Sequence, residues 1–281
     1  MCLKKIFTSV VLINLCAFAY ATEVKTASKT TPKSKASSTS APATIETPKI
    51  AVFNFKGILL EKPPEISFSL DMELQQSLHD LLERLKKAEK DESLKAVVLT
   101  FDEPLLGWAQ MQELRSAVKR LRKANKDVYC YLEEAGPAIY QLASAATHIC
   151  IAPGGELQLA GLYVEMGYLK GLLDKIGLEA DIEHIGDYKG AGEPLTRTGP
   201  SDQAREMMNW LLADLFDQLV DSIAEGRQMA AEKVRELIDR GPFNPEEALR
   251  EGLVDELLDA DAFLLSLRER HGSDFTLVRD Y

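Results

Sequence analysis

The sequence predicts an α/β fold in which short strands of a parallel sheet alternate with helices. Residues 49–55, 95–101, 128–132 and 148–152 form short runs that are apolar on both faces, which is typical of strands covered by helices. The segments between these runs carry apolar residues at helical spacing. The chain is 46% apolar, and about 230 residues follow its polar N-terminal region, so a sizeable core can form.

Each of the first three predicted strands is followed by a predicted helix. The first helix covers residues 70–87, where leucines recur at helical spacing (Leu74, Leu78, Leu81, Leu82 and Leu85). The next two helices cover residues 109–124 and 137–146. A helical C-terminal part, residues 204–240, comes after the strands. The order indicates repeated βα units followed by helices.

The N-terminus has the pattern of a secretory signal peptide over residues 1–21. Two lysines precede an apolar run at residues 6–20, and Ala19 and Ala21 are the small residues that precede a cleavage site. The run is shorter than the roughly 20 residues that a membrane-spanning helix needs. Cys16 suggests a lipoprotein, but the leucine before it is too bulky for that motif. We therefore expect cleavage before Thr22 and an exported protein on the periplasmic or extracytoplasmic side; if cleavage fails, the segment would serve as an N-terminal anchor.

Residues 22–48 are rich in Ser, Thr, Lys and Pro, and we expect a flexible tether there. Its dispersed lysines fit a simple spacer better than a lipid-binding segment, although peripheral membrane association is possible. We expect one folded domain over residues 49–265 and a C-terminal tail over residues 266–281.

Composition excludes some classes of function. The net charge of −11 argues against nucleic-acid binding, which needs clustered Lys and Arg. No metal-ligand spacing and no phosphate-binding glycine loop occurs, so the sequence implies no metal and no cofactor. Cys130 and Cys150 could form a disulfide in an exported protein, or remain buried thiols in their apolar strands.

Residues 183–205, EHIGDYKGAGEPLTRTGPSDQAR, contain Lys189 next to Tyr188. A lone lysine after such a turn is usually a solvated loop residue. However, the segment resembles the lysine segment of protease IV, the SppA-type signal peptide peptidases, whose catalytic dyad is a serine and a lysine. The resemblance implies that Lys189 is the general base, which requires burial or nearby positive charge to lower the pKa of its amine.

Further collinear segments resemble the same family and extend the resemblance over most of residues 49–258. They are residues 140–149, 161–177, 204–227 and 252–256. The resemblance implies the ClpP and crotonase type of spiral fold, built from repeated βα units. It also implies a peptide substrate, namely signal peptide remnants derived from membranes, and a serine peptidase that needs no cofactor.

The sequence departs from the family pattern at two places. Gly136 stands where single-domain members carry the nucleophilic serine, and glycine has no hydroxyl. Residues 102–107, DEPLLG, replace the turn that helps to form the oxyanion hole, and two carboxylates there would oppose a developing oxyanion. Ser144 lies in a predicted helix, where a small buried residue is the simpler interpretation. Both departures resemble the lysine-bearing first repeat of long, two-repeat family members.

Three interpretations remain open, in descending order of support. Lys189 completes a dyad with a serine from another repeat or chain in a homo- or hetero-oligomer. Alternatively, the chain is a non-catalytic assembly or peptide-binding subunit. Thirdly, Ser144, Ser201 or another serine of this chain is the nucleophile. The amphipathic residues 207–219, including Trp210, fit core packing better than an exposed oligomer face.

Overall fold

A computed structural model of the chain describes residues 47–62, 76–272, 274–279 and 281. All of these residues belong to one compact unit over residues 45–281. The predicted signal peptide, most of the predicted tether and the first part of the predicted first helix lie outside the described residues.

Six strands form one sheet in the order β5-β4-β3-β2-β1-β6, and every neighbouring pair is parallel. The strands are β1 Lys49–Ile58, β2 Leu94–Leu105, β3 Asp127–Ala135, β4 His148–Leu157, β5 Glu256–Leu257 and β6 Thr276–Val278. The helices are α1 Leu78–Lys90, α2 Trp108–Lys123, α3 Pro137–Ala143, α4 Lys170–Lys175, α5 Glu193–Thr196, α6 Asp202–Arg227, α7 Ala231–Arg240, α8 Pro245–Arg250 and α9 Ala260–His271. A 3-10 turn covers Gly190–Gly192. The predicted α/β class and the helical C-terminal part are confirmed.

Helices α1, α2 and α3 pack against one face of the sheet. Strands β1 to β4 are added in one direction, and right-handed crossovers then place all connecting helices on the same side. Phe53, Leu99, Cys130 and Ile149 are in register across four strands and are completely buried under these helices. This face holds the larger core.

The opposite face is covered by α9, which packs on Ile50, Val98 and Tyr129 through Phe263 and Leu267. Cys150 faces this side, whereas Cys130 lies in the larger core, so the two thiols are on opposite faces of adjacent strands. Both cysteines are free and buried. The structure therefore supports the buried-thiol interpretation over a disulfide.

The C-terminal half of α6 is attached to the body of the protein at two points. The buried Arg115 guanidinium of α2 donates to the carbonyl of Ser222 and contacts Glu225 at 3.2 Å. The last residue of α6, Arg227, forms a two-bond ion pair with Asp255. These contacts fix the end of α6 against α2, α3 and the strand β5 region.

Residues 160–218 differ from the rest of the described chain because none of them is buried. We call this segment the arm. The expectation that residues 207–219 pack in the core is wrong for Trp210, which is 73% exposed, and for Met207 and Leu211, whereas Leu219 is fully buried. The amphipathic pattern identifies an apolar face, but it does not identify what covers that face.

Two boundaries differ from the sequence-based prediction. The helix that begins at Pro137 ends at Ala143 instead of reaching residue 146. Residues 276–278, assigned to a tail, form β6 beside β1. A three-residue strand is too short to show a periodic pattern. Within the described ranges, no helix is long and apolar enough to cross a membrane.

Candidate active site

Lys189 lies in a turn that its own neighbours hold in place. Gly186 has a φ of 95°, a conformation that favours glycine, and its carbonyl accepts a hydrogen bond from the Lys189 backbone at 3.2 Å. The 3-10 turn Gly190–Gly192 follows directly. A Cβ on Gly192 would lie 2.8 Å from the side chain of Ile182, so only glycine fits there without a shift. The glycines around Lys189 thus set the shape of its loop.

Glu193 connects the lysine loop to the start of α6. Its carboxylate accepts hydrogen bonds from both the hydroxyl and the backbone N–H of Ser201. These bonds hold the pKa of Glu193 below its ordinary value. The Ser201 hydroxyl also accepts from the backbone of Ala204, as an N-cap does. The Ser201 hydroxyl thus donates to the lysine loop and accepts from the first turn of α6.

A second bond joins the same loop to α6. The Tyr188 hydroxyl donates to Glu206 at 2.9 Å, and this bond raises the pKa of the phenol. The bond was not predicted, because Glu206 lies outside the recognised segment, residues 183–205, and no sequence pattern links it to Tyr188.

Lys189 lines an open cleft of about 450 Å³ that is formed by residues 182–203 alone. The cleft also contains the charged side chains of Asp187, Glu193 and Arg197. The lysine side chain is exposed, and the neighbouring Ile185 is 95% exposed. In a single chain, therefore, water reaches the amine.

Gly136, the expected serine position, is the N-cap of α3. Its backbone is extended, with φ −81° and ψ 177°, so a residue with a side chain can adopt this conformation. A Cβ placed there would meet no atom within 4 Å. Gly136 does not line the cleft around Lys189. The position lacks a hydroxyl but has room for one.

The segment that replaces the oxyanion turn, residues 102–107, is formed by the end of β2 and the two residues before α2. Asp102 and Glu103 are exposed, and Glu103 has a φ of 46°, which is uncommon for a residue with a side chain. The pairing of β1 and β2 shifts register here, between Lys56 and Ile58. The end of β2 therefore presents two exposed carboxylates, Asp102 and Glu103, at the carboxyl end of the sheet.

Ser144 is fully buried at the end of α3. Its hydroxyl accepts from Arg115 at 2.8 Å and donates to the carbonyl of Gln141 at 2.9 Å. These bonds confirm the interpretation of Ser144 as a small buried residue. No group of three or more His, Cys, Asp or Glu side chains in the described ranges could hold a metal ion.

Comparison with known proteins identifies the family. The model of peptidase family S49 matches residues 120–273, more than half of the chain. The chain therefore belongs to peptidase family S49. The predicted relation to protease IV and SppA is confirmed.

Several proteins of similar sequence carry the names of proteases or peptidases. The chain is 29% identical over 196 residues to "Serine protease SPPA, chloroplastic" of Arabidopsis thaliana, covering 70% of this chain and 29% of that protein. It is 25% identical over 200 residues to "Protease 4" of Salmonella typhi, covering 65% and 32%. It is 23% identical over 232 residues to "Putative signal peptide peptidase SppA" of Enterococcus faecium, covering 82% and 66%. The chain thus spans less than a third of the length of the first two relatives.

Solved structures with similar chains include a point mutant of the "1510-N membrane-bound stomatin-specific protease". The TM-score is 0.47 at 17% identity, with 78% of this chain and 84% of that chain covered. An enoyl-CoA hydratase/isomerase family protein from Silicibacter pomeroyi gives a TM-score of 0.41 at 14% identity, with 70% of each chain covered.

Proposed function

We propose that this chain supplies the general-base lysine, Lys189, of a peptidase whose nucleophilic serine comes from another repeat or another chain. Its substrates would be signal peptide remnants, and its location the periplasmic or extracytoplasmic side of a membrane. The observation that carries the proposal is the position of Lys189 in a preformed loop on an arm without buried residues.

The arm has the composition of an interface. Its large apolar side chains that are more than half exposed are Tyr163, Leu172, Ile176, Leu178, Ile185, Tyr188 and Trp210. Soluble monomers rarely leave so much apolar surface in contact with water. This surface supports a partner that packs on the arm.

The same partner would complete the chemistry. An amine acts as a general base when its surroundings favour the neutral form, which burial does. A partner that covers Ile185 and Tyr188 would also exclude water from the neighbouring Lys189. Attack by the partner's serine would transfer the hydroxyl proton to the amine while the serine oxygen bonds to the peptide carbonyl carbon, whose π electrons move to the carbonyl oxygen. Collapse of this intermediate would break the C–N bond, and the leaving amine would take the proton from Lys189. Neither step requires a side chain at Gly136.

Labelling with a serine-directed fluorophosphonate tests the proposal. We expect the purified chain alone to remain unlabelled, and a different polypeptide that co-purifies from its source to be labelled. Lys189→Ala should abolish that labelling and leave the unfolding midpoint of the chain unchanged, since Lys189 is exposed. Lys175→Ala, an exposed lysine of the same arm, is the matched control and should retain labelling.

The outcomes separate the three interpretations. Labelling of this chain alone that depends on Lys189 would mean that one of its own serines is the nucleophile. Absence of labelling in both preparations would favour the non-catalytic subunit, for which Gly136 is the supporting observation. We also expect Gly136→Ser to fold but to give no efficient hydrolysis, because Asp102 and Glu103 remain at the oxyanion position.

A further inference from the structure

A second concave site lies far along the chain from Lys189, between α9 and the face of the sheet opposite the larger core. Its volume is about 430 Å³, within the range of roughly 300–1,000 Å³ that small-molecule sites occupy. The apolar side chains that line it include Val52, Val98, Ala260, Phe263, Leu264, Leu267 and Leu277. No step of the proposed peptidase chemistry uses this site.

The topology explains why the cavity exists. Strands of a parallel sheet are normally covered on both faces. Because β1 to β4 advance in one direction, α1, α2 and α3 lie on the other face and α9 is the main cover here. The row Val52–Val98–Tyr129 lies under α9, and the next row, Asn54–Thr100–Tyr131, extends towards the carboxyl ends of the strands. The cavity spans the boundary between these two rows.

One part of the cavity is polar and positively charged. Thr100 donates to the side-chain oxygen of Asn54 at 3.1 Å, and the Asn54 amide nitrogen makes no hydrogen bond with another described residue. Arg279, beside Leu277, lines the cavity and is exposed. It forms no ion pair with any carboxylate in the part of the chain that the structure describes. The lining therefore combines an apolar surface with a cation and an available amide donor.

We propose that this cavity binds a single-chain fatty acid. The alkyl chain packs against the partly exposed side chains of Val52, Leu264 and Leu277, and the carboxylate pairs with the Arg279 guanidinium. Charge complementarity selects an anion over a neutral amphiphile, because Arg279 is the cation that lines the site. The apolar lining offers few partners for the repeated N–H and C=O groups of a peptide, so an alkyl chain fits it better.

Binding of dodecanoate to the full chain, measured below the micelle concentration by displacement of a fluorescent fatty acid, tests the proposal. We expect saturable binding at one site. Decanoate, which is two methylenes shorter, should bind about tenfold more weakly, given the cost of exposing each methylene. Arg279→Gln should weaken dodecanoate about tenfold and leave the weaker binding of neutral dodecanol unchanged. Equal binding of dodecanoate and dodecanol would overturn the assignment of the carboxylate to Arg279.

Filling the cavity gives a second, independent test. Ala260 is an exposed residue of α9 that lines the site, so Ala260→Phe should fold and reduce dodecanoate affinity at least tenfold. Leu265→Phe places the same ring on the same helix, at an exposed position that does not line the cavity, and should bind like the unaltered chain. Full binding by Ala260→Phe, equal loss in both variants, or no saturable binding by the unaltered chain would refute the site.

Discussion

The arm differs from the body, by which we mean the described residues outside the arm, in what happens to its apolar side chains. Those of the body form a buried core, whereas none in the arm is buried. In the body, Phe53, Leu99 and Tyr140 are completely buried between strands and helices. In the arm, α6 begins at the N-cap Ser201, yet Ile185 and Trp210 remain in contact with solvent. The difference shows that hydrogen bonds order the arm without burial of its apolar surface, and the proposed partner would supply that burial.

The largest expected difference comes from adding one methyl group to a helical glycine in each region. A Cβ on Gly226, in the body part of α6, would lie 2.0 Å from the carbonyl oxygen of Ser144. Gly226→Ala must therefore separate α6 from α3, and we expect a loss of about 3 kcal/mol or more in the free energy of unfolding. Gly171→Ala, in helix α4 of the arm, meets no atom within 4 Å and should be neutral or slightly stabilising.

Urea unfolding monitored by circular dichroism measures both variants. The comparison of body and arm fails if Gly171→Ala loses as much stability as Gly226→Ala. Such a result would mean that α4 packs as tightly as the buried end of α6.

The second prediction concerns the ion pair between Arg227, the last residue of α6, and Asp255. Burial acts to raise the pKa of Asp255, but hydrogen bonds from Arg227 and from the backbone N–H of Ile149 outweigh it, so the pKa lies below its ordinary value. A lowered folded-state pKa contributes stability above the unfolded pKa and loses it as pH falls. Stability should therefore decline below about pH 4.

Asp255→Asn should cost about 2 kcal/mol at pH 7, since it leaves Arg227 without its carboxylate, and should flatten the decline in acid. Asp174→Asn breaks the exposed pair with Lys170 in the arm and should change stability too little to measure. Unfolding free energies between pH 7 and pH 3 provide the readout, and an undiminished acid slope in Asp255→Asn would assign the pH dependence to other carboxylates.

The third prediction separates the stability of the chain from its association. Trp210→Ala should leave the monomer's free energy of unfolding within about 0.5 kcal/mol, because the ring is mostly exposed. The same change should weaken association with a partner about tenfold or more, as is common for a central aromatic residue of an interface. Sedimentation velocity over a range of concentrations measures association, and Leu265→Ala, an exposed leucine outside the arm, is the control. Unaltered association in Trp210→Ala would place the interface elsewhere.

The same contrast explains which features the sequence could predict. Strands β1 to β4 were predictable because both of their faces are apolar, a pattern typical of strands covered by helices, whereas the shorter β5 and β6 were not predicted. Leu211 and Leu219 carry the same kind of signal on α6, yet only Leu219 is buried in the chain. Lys189 was recognisable through a motif, whereas the bond between Tyr188 and Glu206 depends on a loop geometry that no local pattern encodes.

The smallest expected effect concerns a histidine at the edge of the body, where α9 meets the sheet. Burial lowers the pKa of His271; the Asp127 carboxylate, 3.9 Å away, opposes this shift, and Arg270 adds to it. Nε2 of the His271 imidazole and the Tyr129 hydroxyl form a hydrogen bond of 3.0 Å. We expect NMR titration to give His271 a midpoint below about 6.5, and His271→Gln identifies its resonance.

The folded-state pKa of His271 lies below its unfolded value. The neutral imidazole therefore contributes stability above the unfolded pKa, and this contribution is lost as pH falls through the folded-state pKa. His271→Gln should reduce the slope of stability between about pH 7 and pH 5, whereas His184→Gln, which changes an exposed arm residue, should not. Equal slopes in the two variants would mean that the contact between α9 and the sheet does not respond to this imidazole.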